Sequence, residues 1–593
     1  MKKLSIISLV ALVLMMSCKT SRIDIPEVTA GELKEHIEYL ASDELKGRLP
    51  GTEGDLLAAA YIRDLLRSWG LEPLCDNGLQ EVEIIASVTA GENCRLSFDN
   101  TEYIPDKDFA PLSFSESAEL DAELVFAGYG FAIDSESVRW NDYENIDVSN
   151  KWVMILRADP EVDNPMSAYA AFSSDRDKAM LAKDKGAGGV LLVSGKMFDP
   201  KDEFENLRKG EFSVGIPVIR VSRELANKIL GKTSEKTIEI LEEELNNKGH
   251  NLSFTTGTEL YARVELVQEI VNTHNVIMKL PGNDPLLKEQ YTLIGGHYDH
   301  LGMGGPGTSS RAVDTVAVHY GADDNASGIA AMLEIAEKFA ATRSNRRSVI
   351  FAAFAAEEMG LLGSKHMVKN LPFEADSVNA MLNLDMVGRL NENHMLQVGG
   401  VGTSPSFDNI VRSFCDTSFF RLSISTEGYG PSDHSSFYGE DIPVLFISTG
   451  AHLDYHTPYD SPDKINYDGM VKISDLVYTW LSEFSNMDER LDFTEAGPKT
   501  QVNMGMRRKG VSLGIMPDFA GNIKNGLRAD FITPGKPAQL GGMKKGDIIT
   551  AINGLEINNI QDYMFRLSKL QHGETINVEI LRGDKKELLL IKL

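Results

Sequence analysis

The chain has 593 residues, 42% of them hydrophobic, and a formal net charge of -28 at pH 7. This length exceeds what one hydrophobic core supports and predicts several domains, about four at roughly 150 residues each. The strong negative charge argues against nucleic acid or an anionic membrane surface as a partner, because both bind clustered lysine and arginine.

The N-terminus resembles an export signal. Two lysines precede an apolar run over residues 4–16, which is too short to span a bilayer and is typical of a secretory signal peptide. Cys18 follows a small residue at the end of this run, as at the cleavage site of bacterial lipoproteins. We therefore expect a signal peptide over residues 1–17 and an exported protein, periplasmic or held at the outer membrane of a bacterium by a lipid on Cys18. Met15 and Met16 depart from the preferred lipoprotein residues, so cleavage nearby without a lipid is the alternative.

The remaining cysteines are Cys75, Cys94 and Cys415. Three are too few for a disulfide scaffold. A bridge between Cys75 and Cys94 and three free thiols are both compatible with the sequence.

Two helices are predicted after the signal. Thr29-Ala30-Gly31-Glu32 has the spacing of a capping box and opens an amphipathic helix through Leu40. A second helix over residues 55–69 ends at Gly70, a good C-terminal capping residue. Residues 24–115 are assigned to the N-terminal part of the main domain.

The pattern changes over residues 116–262. Strand-like segments alternate there with glycine turns and one helix. This predicts a β-rich inserted domain.

The second part of the main domain is assigned to residues 263–490, where the apolar strand pattern resumes. A polar linker over residues 494–509 leads into a tail, assigned to residues 500–593. The tail has short strands separated by turns such as Asn553-Gly554, which predicts a small separate domain.

Three apolar runs in the main domain predict its central sheet: residues 291–296, 349–356 and 380–384. They are too uniformly apolar to alternate between core and solvent, so they suit parallel strands covered on both faces. We therefore predict an α/β fold with a mainly parallel central sheet flanked by helices.

Each of these strands ends in a candidate metal ligand: His297 after the first, Glu357 and Glu358 after the second, and Asp385 after the third. Open α/β sheets place their sites beyond the carboxyl ends of the strands. The sequence therefore predicts a metal site at this edge.

Further candidates lie in loops. Asp324 lies just before a predicted helix, whose N-terminus favours negative charge, although Asp323 fits equally well on spacing alone. His456 adds a second imidazole. Mixed nitrogen and carboxylate donors suit Zn²⁺, with Mn²⁺ or Co²⁺ as substitutes. Glu357 and Glu358 are adjacent and point in different directions, so one should bind metal while the other acts on the attacking water.

Five motifs carry these residues: Gly296-His297-Tyr298-Asp299, Gly321-Ala322-Asp323-Asp324-Asn325-Ala326-Ser327-Gly328, Ala356-Glu357-Glu358-Met359-Gly360, Asn383-Leu384-Asp385-Met386 and Tyr455-His456-Thr457-Pro458. As a set they resemble the motifs of the co-catalytic di-zinc aminopeptidases, relatives of glutamate carboxypeptidase II and the transferrin receptor. Residues 40–48 and 51–54 resemble the N-terminal part of that family. The insert resembles a protease-associated (PA) domain, and the tail resembles a PDZ domain. The resemblance implies the zinc exopeptidase fold.

The resemblance also implies a ligand set for two zinc ions. Asp324 bridges both ions. His297 and Asp385 complete one zinc site, and Glu358 and His456 complete the other.

The same resemblance implies roles for the neighbouring residues. Glu357 is the general base that takes a proton from the attacking water. Asp299 holds the His297 ring in its ligating tautomer. Tyr455 helps to stabilise the oxyanion, with ordinary packing beside the site as the alternative. The Asp324-Asn325 peptide bond is expected to be cis.

Four other histidines lie near the motifs: His300, His319, His434 and His452. We expect each of them behind or beside the ligands, because the five-ligand set is already complete. For Arg389, a structural ion pair is favoured over recognition of a substrate carboxylate.

The expected function is that of an exported, metal-dependent exopeptidase that removes N-terminal residues from peptides with a free N-terminus. The alternatives are a glutaminyl cyclase or a carboxypeptidase on the same fold, or a non-catalytic binding ectodomain, against which the complete ligand set argues. In the tail, Ser512-Leu513-Gly514-Ile515 resembles the carboxylate-binding loop of PDZ domains. It predicts binding of a peptide C-terminus beside an open strand edge, with a structural cap as the alternative.

Overall fold

The computed structural model describes residues 26–135, 138–164, 167–232, 236–248, 251–305, 308–497, 499, 511–517, 526–533 and 535–593. The predicted signal peptide over residues 1–17 and Cys18 lie outside the described residues. Within them, no helix is both long enough and apolar enough to cross a membrane.

The described chain begins with α1 (Ala30–Leu40), α2 (Glu53–Ser68), β1 (Glu72–Pro73) and β2 (Leu79–Ala90). The first interaction of the predicted capping box is present, because Thr29 Oγ1 accepts a hydrogen bond from the Glu32 N–H at 3.2 Å. Gly70 has a left-handed backbone just beyond the end of α2, with φ at 80°. Cys75 and Cys94 are both free thiols.

The insert follows with β3 (Arg95–Phe98), β4 (Thr101–Glu102), β5 (Phe109–Pro111), β6 (Glu119–Phe126), β7 (Ala132–Asp134), β8 (Arg139–Asn141), β9 (Trp152–Leu156), α3 (Asp175–Asp184), β10 (Gly189–Val193), β11 (Val218–Val221), α4 (Arg223–Leu230), α5 (Ile238–Lys248) and β12 (Phe254–Arg263). Its sheet has the order β4-β3-β12-β6-β9-β10-β11-β5. The strands from β6 to β11 in this order are parallel, and the pairs on both sides are antiparallel.

The strands β3, β4 and β5 lie before residue 116, where the sequence pattern places the start of the insert. They belong to its sheet because β3 pairs with β12 and β5 pairs with β11. The sheet therefore begins earlier in the chain than the sequence pattern indicates. The pattern does not show this because pairing between strands so far apart in the chain leaves no local signal.

The main domain continues with β13 (Leu266–Leu280), β14 (Tyr291–His297), α6 (Gly328–Thr342), β15 (Ser348–Phe354), α7 (Leu362–Lys369), β16 (Val378–Leu384), β17 (Met395–Gly399), α8 (Phe407–Ser413), β18 (Arg421–Ile424), α9 (His434–Gly439), β19 (Val444–Ser448) and α10 (Tyr467–Asn486). Its sheet has the order β1-β13-β15-β14-β16-β19-β17-β18, with β2 also paired to β13. The central strands β15, β14, β16 and β19 are parallel, and antiparallel pairs flank them.

The central strands are covered on both faces, as their apolar sequences predict. Every residue of β14, β15 and β16 is buried. One face packs against α1, α2, α6 and α10 around Phe339 and Trp480. The other packs against α7 and α9 around Met367 and Phe437. The predicted α/β class is confirmed.

The tail contains β20 (Ile515–Pro517), β21 (Leu527–Ile532), α11 (Pro537–Leu540), β22 (Ile548–Ile552), β23 (Leu555–Glu556), α12 (Ile560–Ser568), β24 (Thr575–Arg582) and β25 (Lys585–Lys592). The chain leading to it still contacts the main domain beyond residue 490. The Leu491 N–H donates to Asn379 Oδ1 at 2.8 Å, and the Thr494 N–H donates to the Thr403 carbonyl at 2.8 Å.

The tail packs against the insert through α12 and α3. Arg176 and Asp562 form a buried ion pair of 2.9 Å, and Arg566 pairs with Asp184. Phe565 is buried in the hydrophobic cluster of the insert. This contact joins the two accessory domains, which the sequence pattern treats as independent.

Candidate metal centre

The predicted ligands meet at the carboxyl edge of the parallel strands. His297 is the last residue of β14, Asp385 directly follows β16, and Glu358 follows β15. Asp324 lies in the turn before α6, and His456 lies in the loop between β19 and α10. Three strand ends and two loops therefore converge on one place, as expected for an open α/β sheet.

One group of ligand atoms contains His297, Asp324 and Asp385. The His297 Nε2 atom lies 3.3 Å from Asp324 Oδ1 and 3.6 Å from Asp385 Oδ1. All three side chains are buried, and their ligand atoms lie within 4.8 Å of one another, so they could hold one metal ion.

A second group uses the other oxygen of Asp324. The His456 Nε2 atom lies 3.3 Å from Asp324 Oδ2 and 3.0 Å from Glu358 Oε2. Asp324 therefore presents one carboxylate oxygen to each group, which is the arrangement that a bridging ligand needs.

The donor atoms of the centre are placed to bind a cation, not to form hydrogen bonds with one another. Among the described residues, neither His456 Nε2 nor Asp324 Oδ2 makes a hydrogen bond, although both atoms are buried and close together. Buried polar atoms are normally hydrogen-bonded. The two atoms are close but not aligned for a hydrogen bond, which indicates that their lone pairs point at a shared position. The mixture of imidazole and carboxylate donors fits Zn²⁺.

The charges at the centre favour positive charge on the imidazoles. Burial opposes ionisation of Asp324, but His297 and His456 hold its pKa well below the usual value. Burial likewise opposes protonation of His456, while Asp324 and Glu358 raise its pKa to about 10. The carboxylates would therefore exert the same attraction on a metal ion, which takes the place of these protons when it binds.

The pKa values of Glu357 and Glu358 shift in opposite directions, although the two residues are neighbours in the chain. Burial and the charge of Glu358 raise the pKa of Glu357 well above its usual value, against the effect of His297. Burial also opposes ionisation of Glu358, yet the hydrogen bond from His300 and the nearby His456 imidazole hold its pKa below the usual value. Adjacent carboxyl groups with opposite pKa shifts indicate different chemical roles.

Asp299 supports the centre through both its main chain and its carboxylate. Its backbone carbonyl accepts a hydrogen bond from His297 Nδ1 at 3.2 Å, whereas its carboxylate lies 3.7 Å from that nitrogen. The carboxylate instead accepts the backbone N–H groups of Glu357 at 3.0 Å and Glu358 at 3.3 Å. Asp299 thus orients both the His297 ring and the Glu357-Glu358 turn.

Tyr455 and the cis bond lie where the resemblance predicts them. The Tyr455 ring stacks on His456 with 3.8 Å between ring centroids. Burial and the charges of Asp324 and Glu358 raise its phenol pKa, so the hydroxyl stays protonated as a donor. The Asp324-Asn325 peptide bond is cis.

Three residues that sequence reasoning did not assign to the centre support it. His300 Nδ1 donates to Glu358 Oε1 at 2.9 Å, and the group His300, Asp324 and Glu358 is close enough to hold a metal ion. Asp460 Oδ2 accepts the backbone N–H of Asp324 at 3.0 Å. Arg48 is buried and donates to the carbonyls of residues 298, 320 and 321, between the first ligand strand and the Asp324 turn. Two of them carry a local signal in the sequence: His300 lies three residues after His297, and Arg48 ends the stretch 40–48.

The other predicted neighbours have structural partners. His319 contacts Ser310, His434 stacks on Phe446, and His452 Nε2 lies 3.2 Å from Asp323 Oδ2. Arg389 forms an ion pair of 2.6 Å with Asp454. The ion pair that the sequence analysis favoured for Arg389 is therefore present.

A histidine and carboxylate centre with an uncommitted carboxyl group beside it, at the edge of an α/β sheet, defines a metal-dependent hydrolase. Residues 275–481 match peptidase family M28, residues 120–229 match the PA domain, and residues 497–593 match the PDZ domain. The chain thus carries a region similar to the M28 metallopeptidases, together with a PA domain and a PDZ domain.

Among similar proteins, an aminopeptidase of Pseudomonas aeruginosa is 28% identical over 445 residues, covering 69% of this chain and 72% of that protein. Leupeptin-inactivating enzyme 1 of Streptomyces exfoliatus is 29% identical over 228 residues, covering 34% of this chain and 47% of that protein. A solved zinc aminopeptidase from Bacillus subtilis is 23% identical, with a TM-score of 0.43, over 78% of this chain and 96% of the other.

Proposed function

We propose that the protein is a zinc aminopeptidase. It would use two bound zinc ions to remove N-terminal residues from peptides. The main support is the shared carboxylate of Asp324, which offers Oδ1 to His297 and Oδ2 to His456. The name of the similar Pseudomonas aeruginosa protein, an aminopeptidase, agrees with this reaction.

Five residues would hold the ions: Asp324 as the bridge, His297 and Asp385 on one side, and Glu358 and His456 on the other. When bound, zinc polarises a peptide carbonyl and acidifies water to a pKa near 7. In this proposal His300 holds Glu358 in place through its 2.9 Å hydrogen bond.

Glu357 would act as the general base. It takes a proton from the attacking water and delivers it to the leaving amine. Its raised pKa favours this relay, because a carboxylate that is too weak a base cannot hold the proton between the two steps. Tyr455, a neutral phenol beside His456, would donate a hydrogen bond to the oxyanion.

The deciding experiment combines metal analysis with a panel of substrates: free and N-acetylated aminoacyl and dipeptide compounds. We expect two zinc ions per chain and release of the N-terminal residue from unblocked substrates alone. Cleavage of blocked peptides or release of C-terminal residues would contradict the proposal in favour of a carboxypeptidase. Cyclisation of N-terminal glutamine would identify a glutaminyl cyclase, and zinc binding without any turnover would indicate a binding ectodomain.

We further propose export and a lipid anchor on Cys18, supported by the N-terminal apolar run and the small residue before that cysteine. Incorporation of labelled fatty acid into the wild type, and its loss in Cys18→Ser, tests the anchor. The PDZ domain would bind peptide C-termini at residues 512–515. Binding isotherms for a peptide with a free C-terminal carboxylate and for the same peptide with an amidated C-terminus test this. Only the peptide with the free carboxylate should bind.

A further inference from the structure

Residues 301–305 and 308–320, here called the strap, lie between the first ligand strand and the Asp324 turn. It folds back on itself: Gly304 and Val316 form an antiparallel bridge, and the Ala317 N–H donates to the Met303 carbonyl at 3.0 Å. The strap therefore has a defined conformation of its own outside the sheet.

The strap makes two hydrogen bonds with one ligand. His456 Nδ1 donates to the Ser309 carbonyl at 3.1 Å, and the Arg311 N–H donates to the His456 carbonyl at 2.9 Å. Because a carbonyl only accepts, the first bond places the proton on Nδ1 and leaves the Nε2 lone pair facing Asp324 and Glu358. His297 obtains the same fixation from the Asp299 carbonyl, not from the strap.

A buried pair of side chains locks the strap. His319 Nδ1 donates to the Ala317 carbonyl at 3.0 Å, so its Nε2 must accept, and the Ser310 hydroxyl donates to it at 2.8 Å. Both side chains are buried. A Cβ atom at Gly304 would lie 2.0 Å from the His319 ring, so the ring fills the space beneath the turn.

We propose that Ser310 and His319 are positioning residues for the second zinc site. Their hydrogen bond fixes the strap so that the Ser309 carbonyl orients the His456 ring toward Asp324 and Glu358. This rests on the proposed function, in which His456 is a zinc ligand. It implies that loosening the strap lowers the affinity for the zinc ion at Glu358 and His456. The affinity for the ion at His297 and Asp385 should not change.

Ser310→Ala tests the lock, and Ser309→Ala is the matched control. Ser309 is exposed, and its contact with His456 uses the main-chain carbonyl, which alanine keeps. We expect Ser310→Ala to lower the affinity for one of the two zinc ions by about 10–100-fold, which is the usual effect of losing a residue that orients a ligand. Ser309→Ala should keep both affinities. Titration with a competing chelator measures the two ions separately, without any activity assay.

A double-mutant cycle makes the test specific. If the pair acts as one unit, Ser310→Ala with His319→Ala should weaken the same ion no more than His319→Ala alone. Unchanged zinc affinities in Ser310→Ala would refute the proposal, and so would an equal weakening of both ions, which indicates general damage. If the wild-type protein itself fails to bind two zinc ions, the proposed function is wrong and this inference falls with it.

Discussion

The sheet of the main domain and the sheet of the PA insert both place charged side chains around the carboxyl ends of buried parallel strands. In the insert these charges are paired within the protein. Arg157, directly after β9, pairs with Asp175 at 2.7 Å, and Arg220, within β11, pairs with Asp199 at 3.1 Å and Asp202 at 2.8 Å. The insert thus neutralises its carboxylates with its own arginines.

The main domain lacks that compensation at its metal centre. Asp324, Glu358 and Asp385 face two histidines, and the nearby Arg48 spends its donors on backbone carbonyls. Burying carboxylates is costly unless they are paired or bound to metal. Among the described residues, no arginine forms an ion pair with these strand-end carboxylates, which leaves them available to a metal ion.

The largest expected effect comes from removing the bridging charge. Asp324→Asn should abolish binding of both zinc ions, because it alters the one carboxylate that both groups share. Asp323→Asn is the matched control, since that carboxylate accepts the Gly388 N–H at 2.6 Å and faces His452. Metal analysis after dialysis measures both variants. Retention of two ions by Asp324→Asn would show that Asp324 is not the bridge.

The neighbouring glutamates should separate binding from catalysis. Glu357→Gln should keep both zinc ions and lose activity by roughly 10²–10⁴-fold, because it removes the proton relay. Glu358→Gln should instead weaken one ion. Zinc content and turnover are measured on the same samples. Equal zinc loss in the two variants would contradict this division of roles.

In the insert, loss of an arginine should cost stability and leave the metal in place. Arg220→Met leaves Asp199 and Asp202 without their buried partner and should lower the free energy of unfolding by about 3 kcal/mol. Chemical denaturation of the metal-free protein gives this value. A fall in zinc content of the folded variant would mean that the two sheets are not independent.

The smallest expected effect on the chemistry comes from the tail. A chain ending at Lys499 keeps every predicted ligand and should hydrolyse a small aminoacyl substrate within about twofold of the wild-type rate. It should lower the rate, or change the selectivity, for longer peptides if the PDZ domain selects them. Asp562→Ala, which leaves Arg176 unpaired but retains the tail, separates loss of docking from loss of the domain. Equal loss on small and long substrates in a folded truncated chain would point to a structural role.

The convergence of the candidate ligands could be predicted because each of them follows a recognisable strand or turn in the chain. His297 and Asp385 end apolar runs, and the strands form where those runs predict them. Position relative to a strand end can be read from the local sequence. The topology of a parallel sheet then brings the carboxyl ends of these strands to one edge.

What could not be predicted depends on partners distant in the sequence. Asp460 accepts the Asp324 N–H from a separate loop, and Arg48 donates to the Gly321 carbonyl of the same turn from the N-terminal part of the chain. The contact of Phe565 with the insert requires two complementary surfaces from different domains. Asp299 accepts the His297 ring through its main-chain carbonyl, and such main-chain hydrogen bonds carry no residue-type signal.

The contact between α12 and α3 closes the domains into a loop. The insert is tied to the main domain by the ribbon of β2 and β13, whose pairing has an irregularity between Glu269 and Ile270. The tail is tied to the main domain by the chain itself and by the Lys545–Glu440 ion pair at 3.5 Å. With α12 seated on α3, the three bodies form a closed mechanical linkage. Swinging the insert about the ribbon therefore requires the tail to move with it or the Arg176–Asp562 joint to break.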